Sequence, residues 1–168
     1  FFFGANTIPM AGLHLLVVAA LLFSVSGYQS VKGGALQDCS VRGEATTGYL
    51  RNNKCAERND DLGSHHICIK MEQDFCETTG QGDWCTTHKD PFTGNGIGHW
   101  CVCQWAFARY LKSKGDCSAF KEVKCEATNM EARKAYESNP SMAQAAECLR
   151  KKCGYGKDQH KLRGQVGH

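Results

Sequence analysis

The sequence predicts a small, single α+β domain reinforced by disulfides. Three observations carry this expectation. All eleven cysteines lie beyond an apolar leader, and in an oxidising compartment such a density of cysteine reads as a disulfide framework. One stretch alternates with the period of a strand, while others repeat with the period of a helix and end at glycine. Polar loops separate these stretches, and short strands mixed with helices point to α+β.

The chain opens with the leader. Leu15 to Val25 is apolar and carries no charge. A membrane-spanning helix takes ~20 such residues and a signal-peptide core ~7–15. Residues 1–27 therefore read as a leader with a secretory signal peptide, with Met10 a natural start and Ser24, Ser26 and Gly27 suited to a peptidase. The expected location is extracellular or the lumen of the secretory pathway. The α+β domain is expected over residues 34–154, with Ser30 to Gln37 as a flexible lead-in, and residues 155–168 as a basic, flexible tail. Arg150, Lys151, Lys152, Lys157, Lys161 and Arg163 crowd this end of a chain whose formal net charge is +3. Such a run reads first as a solvated end. Neither nucleic acid nor, after signal cleavage, a membrane is an expected partner.

Within the domain, Thr47 to Asp61 is rich in Asn and Asp and reads as turns. Ile67, Ile69 and Met71 alternate with His66, Cys68 and Lys70, the pattern of a half-buried strand. Glu72 to Thr78 continues as a short helix that stops at Gly80. Pro91, Gly94, Gly96 and Gly98 make Asp90 to His99 a loop, and Trp100 to Cys103 reads as buried. Gln104 to Lys114 is a helix with Phe107, Tyr110 and Leu111 on one face and Gly115 as its stop. Phe120 to Cys125 is a second strand candidate. Thr128 to Glu131 fits a capping box that opens a helix to Ser138. Asn139-Pro140 opens the last helix, which runs to Cys153 and stops at Gly154.

The disulfide candidates are Cys39, Cys55, Cys68, Cys76, Cys85, Cys101, Cys103, Cys117, Cys125, Cys148 and Cys153. Spacing does not give their pairing. The odd number leaves at least one thiol free, in a site, or bridged to another chain. Cys101 and Cys103 are too close for an unstrained bridge, and Cys148 and Cys153 cannot meet along a regular helix. Each of these four is expected to reach a partner elsewhere.

A family resemblance follows from four motifs in order. They are Thr47-Gly48-Tyr49-x-Arg51-x-x-x-Cys55, Asp61-x-Gly63-x-His65-x-x-Cys68, Trp100-Cys101-x-Cys103 and Glu126-Ala127-Thr128. Together they resemble the uncharacterised family known as domain of unknown function 2237, over roughly Gln37 to Glu137. Lys54 stands where the family has a cysteine, Asn129 where it has a histidine, and Phe107 where it has a tryptophan. The resemblance implies that Cys76, Cys85, Cys117, Cys125, Cys148 and Cys153 are additions. It implies a shared fold and carries no reaction.

Chemistry gathers around Asp61, His65 and Cys68. A nucleophilic thiol needs a base in reach and an acid to orient that base, and these are the right residue types. A disulfide at Cys68 would remove the nucleophile. Arg51, Asp61, His65 and Trp100 are the binding candidates, although Arg51 is first expected to pair with Asp60 or Asp61. Trp84, Trp100 and Trp105 suit a ligand groove or the core. Structural zinc sites show paired C-x2–4-C or H-x3–5-H spacing, which is absent here. No bound metal or cofactor is expected, and His65 and His99 are the weak metal candidates. Gly94-x-Gly96-x-Gly98 lacks the spacing of a phosphate loop.

The leading expectation is a secreted, non-catalytic binding domain held by about five disulfides, its partner an unidentified protein or small molecule. Its working surface is the loop Gly80 to His99 with the segment Arg51 to His65. The competing reading is an enzyme or metal site centred on Asp61 and His65. A third is an inter-chain disulfide through the odd cysteine.

Overall fold

A computed structural model describes residues 27–156; the expected signal peptide and residues 157–168 of the expected tail lie outside them. The described chain forms five α-helices and one two-stranded antiparallel sheet, so the fold is α+β. Strand β1 (Ile67–Lys70) pairs with β2 (His99–Val102) in the register Ile67 with Val102 and Cys68 with Cys101. The helices are α1 (Gln73–Thr79), α2 (Trp84–Thr87), α3 (Gln104–Lys114), α4 (Met130–Glu137) and α5 (Ala143–Cys153). No helix among the described residues is long and apolar enough to cross a membrane.

The main core forms where one face of the sheet meets α1, α3, α4 and α5. Ile67 and Ile69 meet Phe75, Phe107, Tyr110, Leu111, Tyr136 and Leu149 there. The ring of Phe107 stacks on Phe120 with centroids 4.2 Å apart. The four-residue strand β1 is not half-buried as its alternation suggests. Cys68, on the other face, is fully buried in a second small cluster with Cys39, Cys55, Cys101 and Ala127.

Five disulfides are closed. Cys39–Cys68 and Cys55–Cys101 tie the irregular N-terminal segment to the two strands. Cys117–Cys148 and Cys125–Cys153 tie the segment after α3 to α5. Cys76–Cys85 staples α1 to α2. The expectation that Cys103 bridges elsewhere is corrected: its thiol is free and half-buried.

Several boundaries move. Val31 is buried and Ser30 bridges to Asn129, so the ordered domain starts before residue 34. Tyr155 is also buried, under the Arg133 guanidinium at 4.2 Å, so it belongs to the domain and not to the tail. The second strand is His99–Val102; Phe120 to Cys125 makes one isolated bridge, Val123 with Ile69. Asn129, not Thr128, caps α4 by accepting from the Glu131 amide. The Thr128 hydroxyl is drawn away because it accepts from the Cys68 amide at 3.1 Å and donates to the Lys124 carbonyl.

Candidate functional site

The segment from Thr47 to His66 has no regular structure; turn hydrogen bonds, side-chain bonds to its backbone and the Cys55–Cys101 disulfide hold it. Asn53 bonds back to the Thr47 amide and to the Ser40 hydroxyl. Gly48 turns with φ 88°, and a Cβ there would strike the Lys54 carbonyl. Arg51, Asn53 and Ser64 also take positive φ, which L-residues rarely adopt. Cys55–Cys101 then fixes the end of this tight loop to β2, beside Trp100.

Asp61 organises the next turn. Its buried carboxylate accepts from the amides of Gly63 at 3.1 Å and His65 at 2.8 Å, and from His65 Nδ1 at 2.7 Å. Burial works against the charge, but the His65 amide, the imidazole and the Gly63 amide together outweigh it and hold the carboxyl below its usual range. An ionised carboxylate only accepts, so His65 Nδ1 donates a proton to it. Gly63 does not have a positive φ. It is needed because the imidazole lies against its Cα, where a Cβ would collide with the ring.

Arg51, His65 and Trp100 line one cleft of about 370 Å³ with Gly48, Tyr49, Gln81, Trp84 and Cys101. The Arg51 guanidinium sits 4.8 Å from the centroid of the Trp100 ring. The expected ion pair with Asp60 or Asp61 does not form: Asp60 is taken by Arg58 at 2.8 Å and Asp61 by His65. Arg51 makes no salt bridge among the described residues. Trp84 meets Trp100 edge-on at 5.1 Å and completes an aromatic wall, while Trp105 is exposed on α3. Trp84 stands on α2, whose position beside the cleft is fixed by Cys76–Cys85. The four-residue α2 gives no periodic signal: Trp84 was a groove candidate in the sequence, whereas Gln81 is found only through the contact itself.

Two further sequence candidates lie away from the cleft lining. Cys68 is not a nucleophile here, because its sulfur is bonded to Cys39. His99 is 8% exposed, with Nδ1 3.0 Å from Glu44 and Nε2 3.3 Å from Glu122. That places it beside Glu44, which also pairs with Lys70 at 2.9 Å. Desolvation would raise the Glu44 carboxyl, yet the His99 amide, Lys70, the Val41 amide and the His99 ring bring it down to about 2. Neither His65 nor His99 joins a group of three metal-type ligands among the described residues; the one such group is Cys39, Cys55 and Cys101.

Comparison with known proteins adds one relationship. No curated protein matches the chain. The profile of a family described as an uncharacterized protein conserved in bacteria (DUF2237) matches residues 29–140. That span contains both strands, the cleft and four of the five helices. The order and spacing of the motifs, the fold and the profile agree: the chain belongs to the DUF2237 family.

Proposed function

We propose that the chain is a secreted, non-catalytic binding domain whose cleft takes a small ligand bearing an anionic group beside a flat apolar one. The apolar run Leu15 to Val25 and the five disulfides support secretion. One observation carries the binding reading. The Arg51 guanidinium is held by π contact instead of by a carboxylate, inside a cleft walled by two tryptophans. A guanidinium placed this way keeps its donor fork for a carboxylate or phosphate. Tyr49, Leu50 and Leu62 stand exposed on the same irregular segment and add apolar contact area.

The test is an NMR titration of the full secreted chain with inorganic phosphate, acetate and benzoate. Benzoate is expected to shift the indole signals of Trp84 and Trp100 and the ring of His65, and Arg51→Ala is expected to abolish those shifts. Benzoate shifts that persist in Arg51→Ala, or no shift with any of the three anions, would refute this reading.

The second reading, general-base chemistry, is favoured by the Asp61–His65 pair, since a carboxylate on Nδ1 leaves Nε2 of this cleft-lining residue free to act as base. His65→Ala separates the two. A binding domain keeps its fold and most of its benzoate response, whereas an enzyme keeps its fold and loses turnover.

A further inference from the structure

The buried cysteine cluster brings two disulfides side by side across the sheet. Cys68 and Cys101 face each other directly across the sheet. Their amides do not bond across the strands: Cys68 N–H donates to Thr128 Oγ1 at 3.1 Å and Cys101 N–H to Thr47 Oγ1 at 2.9 Å. The pair is therefore of the non-hydrogen-bonded type, in which facing side chains come closest. Instead of bonding to each other, each sulfur is joined to a cysteine from the irregular segment. As a result the sulfurs of Cys39, Cys55 and Cys101 all lie within 4.8 Å of one another, and Cys68 is bonded to the first of them. All four residues are buried to 1% exposure or less.

We propose that Cys39, Cys55, Cys68 and Cys101 form a four-thiolate zinc site when the chain is reduced. Zinc–sulfur bonds of ~2.3 Å in a tetrahedron set the sulfurs about 3.8 Å apart. On reduction the bonded pairs Cys39–Cys68 and Cys55–Cys101 would open to that spacing, and Cys39 already lies within 4.8 Å of both Cys55 and Cys101. The donors come from two strand positions and two loop positions, so one ion ties the irregular segment to the sheet as the disulfides do. Four thiolates on one Zn2+ leave a net charge of 2−. Lys124, whose ammonium donates to the Cys39 carbonyl at 3.0 Å and whose amide donates to the Cys68 carbonyl at 2.9 Å, supplies an adjacent positive charge.

The interconversion balances. Two equivalents of a dithiol reductant give four electrons and four protons to the two disulfides and become disulfides themselves, leaving four thiols. Zn2+ then displaces four protons. The zinc proposal rests on the sulfur positions and not on the cleft reading, although Cys101 also lines the cleft.

The experiment uses the full chain, reduced with a phosphine under anaerobic conditions and titrated with Co2+, then Zn2+. One equivalent of Co2+ is expected to give the visible and near-ultraviolet bands of tetrahedral cobalt thiolate, and Zn2+ to bleach them. The bands should vanish in Cys68→Ser/Cys101→Ser and persist in Cys117→Ser/Cys148→Ser. In the native sequence, zinc should protect Cys39, Cys55, Cys68 and Cys101 from N-ethylmaleimide while Cys117 and Cys148 react. The protection readout needs no variant to fold. Absence of the bands, their survival in Cys68→Ser/Cys101→Ser, or equal alkylation of all cysteines with zinc present would overturn the proposal.

Discussion

The N-terminal segment up to His66 and the helical region from Gln104 to Tyr155 hold themselves together by different means. The helical region buries continuous apolar surface: Phe107, Tyr110, Leu111, Tyr136 and Leu149 share one core, and its stability is spread over many contacts. The N-terminal segment has few apolar residues in that core. Its backbone amides at Thr47, Val41, Gly63 and His65 are satisfied by the Asn53, Glu44 and Asp61 side chains, and two disulfides fix it to the strands. Burial tolerates partial loss, because the remaining contacts persist. A segment held at a few polar points fails when one of those points is removed. The cleft lies on that second kind of structure.

The largest expected effect is in the helical region. Phe107→Ala removes a fully buried ring stacked on Phe120 and should destabilise the whole domain by about 3–5 kcal/mol, read as a cooperative shift in denaturant midpoint. Next is the double change Cys55→Ser/Cys101→Ser, expected at about 2–5 kcal/mol. Hydrogen exchange should locate this loss in residues 47–66 and leave α3 and α5 protected. Equal deprotection of both regions would erase the distinction between them.

Gly63→Ala comes third. The new methyl displaces the His65 ring and takes one donor from buried Asp61, a change worth about 1–3 kcal/mol. The loss of the Nδ1 proton's hydrogen bond should be visible in the His65 nitrogen shifts. The smallest effect is confined to acid. The Glu44 carboxyl is held at about 2 in the fold against 4.5 as its ordinary value, so its contribution is present above pH 4.5 and is lost as pH falls toward 2. Asp61, also lowered, acts in the same direction below its ordinary value of 3.8. Glu44→Gln should flatten the acid limb of a stability–pH curve, and an unchanged limb would remove Glu44 from this role.

How much could be read from the sequence follows the same division. The helix Gln104–Lys114 and the stops at Gly115 and Gly154 were legible because periodicity and helix termination are local signals. The second strand was not, because Phe120, Val123 and Cys125 owe their burial to distant helices and not to strand pairing. The cap moved from Thr128 to Asn129 because a hydrogen bond to Cys68, 60 residues away, claims the threonine. In the cleft, Arg51, His65 and Trp100 were identifiable as chemistry, whereas the Asp61–His65 bond depends on the turn at Gly63. The Arg51–Trp100 contact was not legible, since it exists only once Cys55 has met Cys101. Trp84 was named in the sequence, but its place in the cleft depends on the four-residue α2.

The order of the bridges along the chain has a topological consequence. Cys39, Cys55, Cys68 and Cys101 pair first with third and second with fourth, and Cys117, Cys125, Cys148 and Cys153 do the same. Every residue from 56 to 67 lies inside two covalent loops at once, and so does every residue from 126 to 147. A protease that cuts once in either stretch, including beside Asp61 or His65, frees no fragment. Both pieces stay joined by two bridges, and the nicked chain migrates as a single molecule until it is reduced.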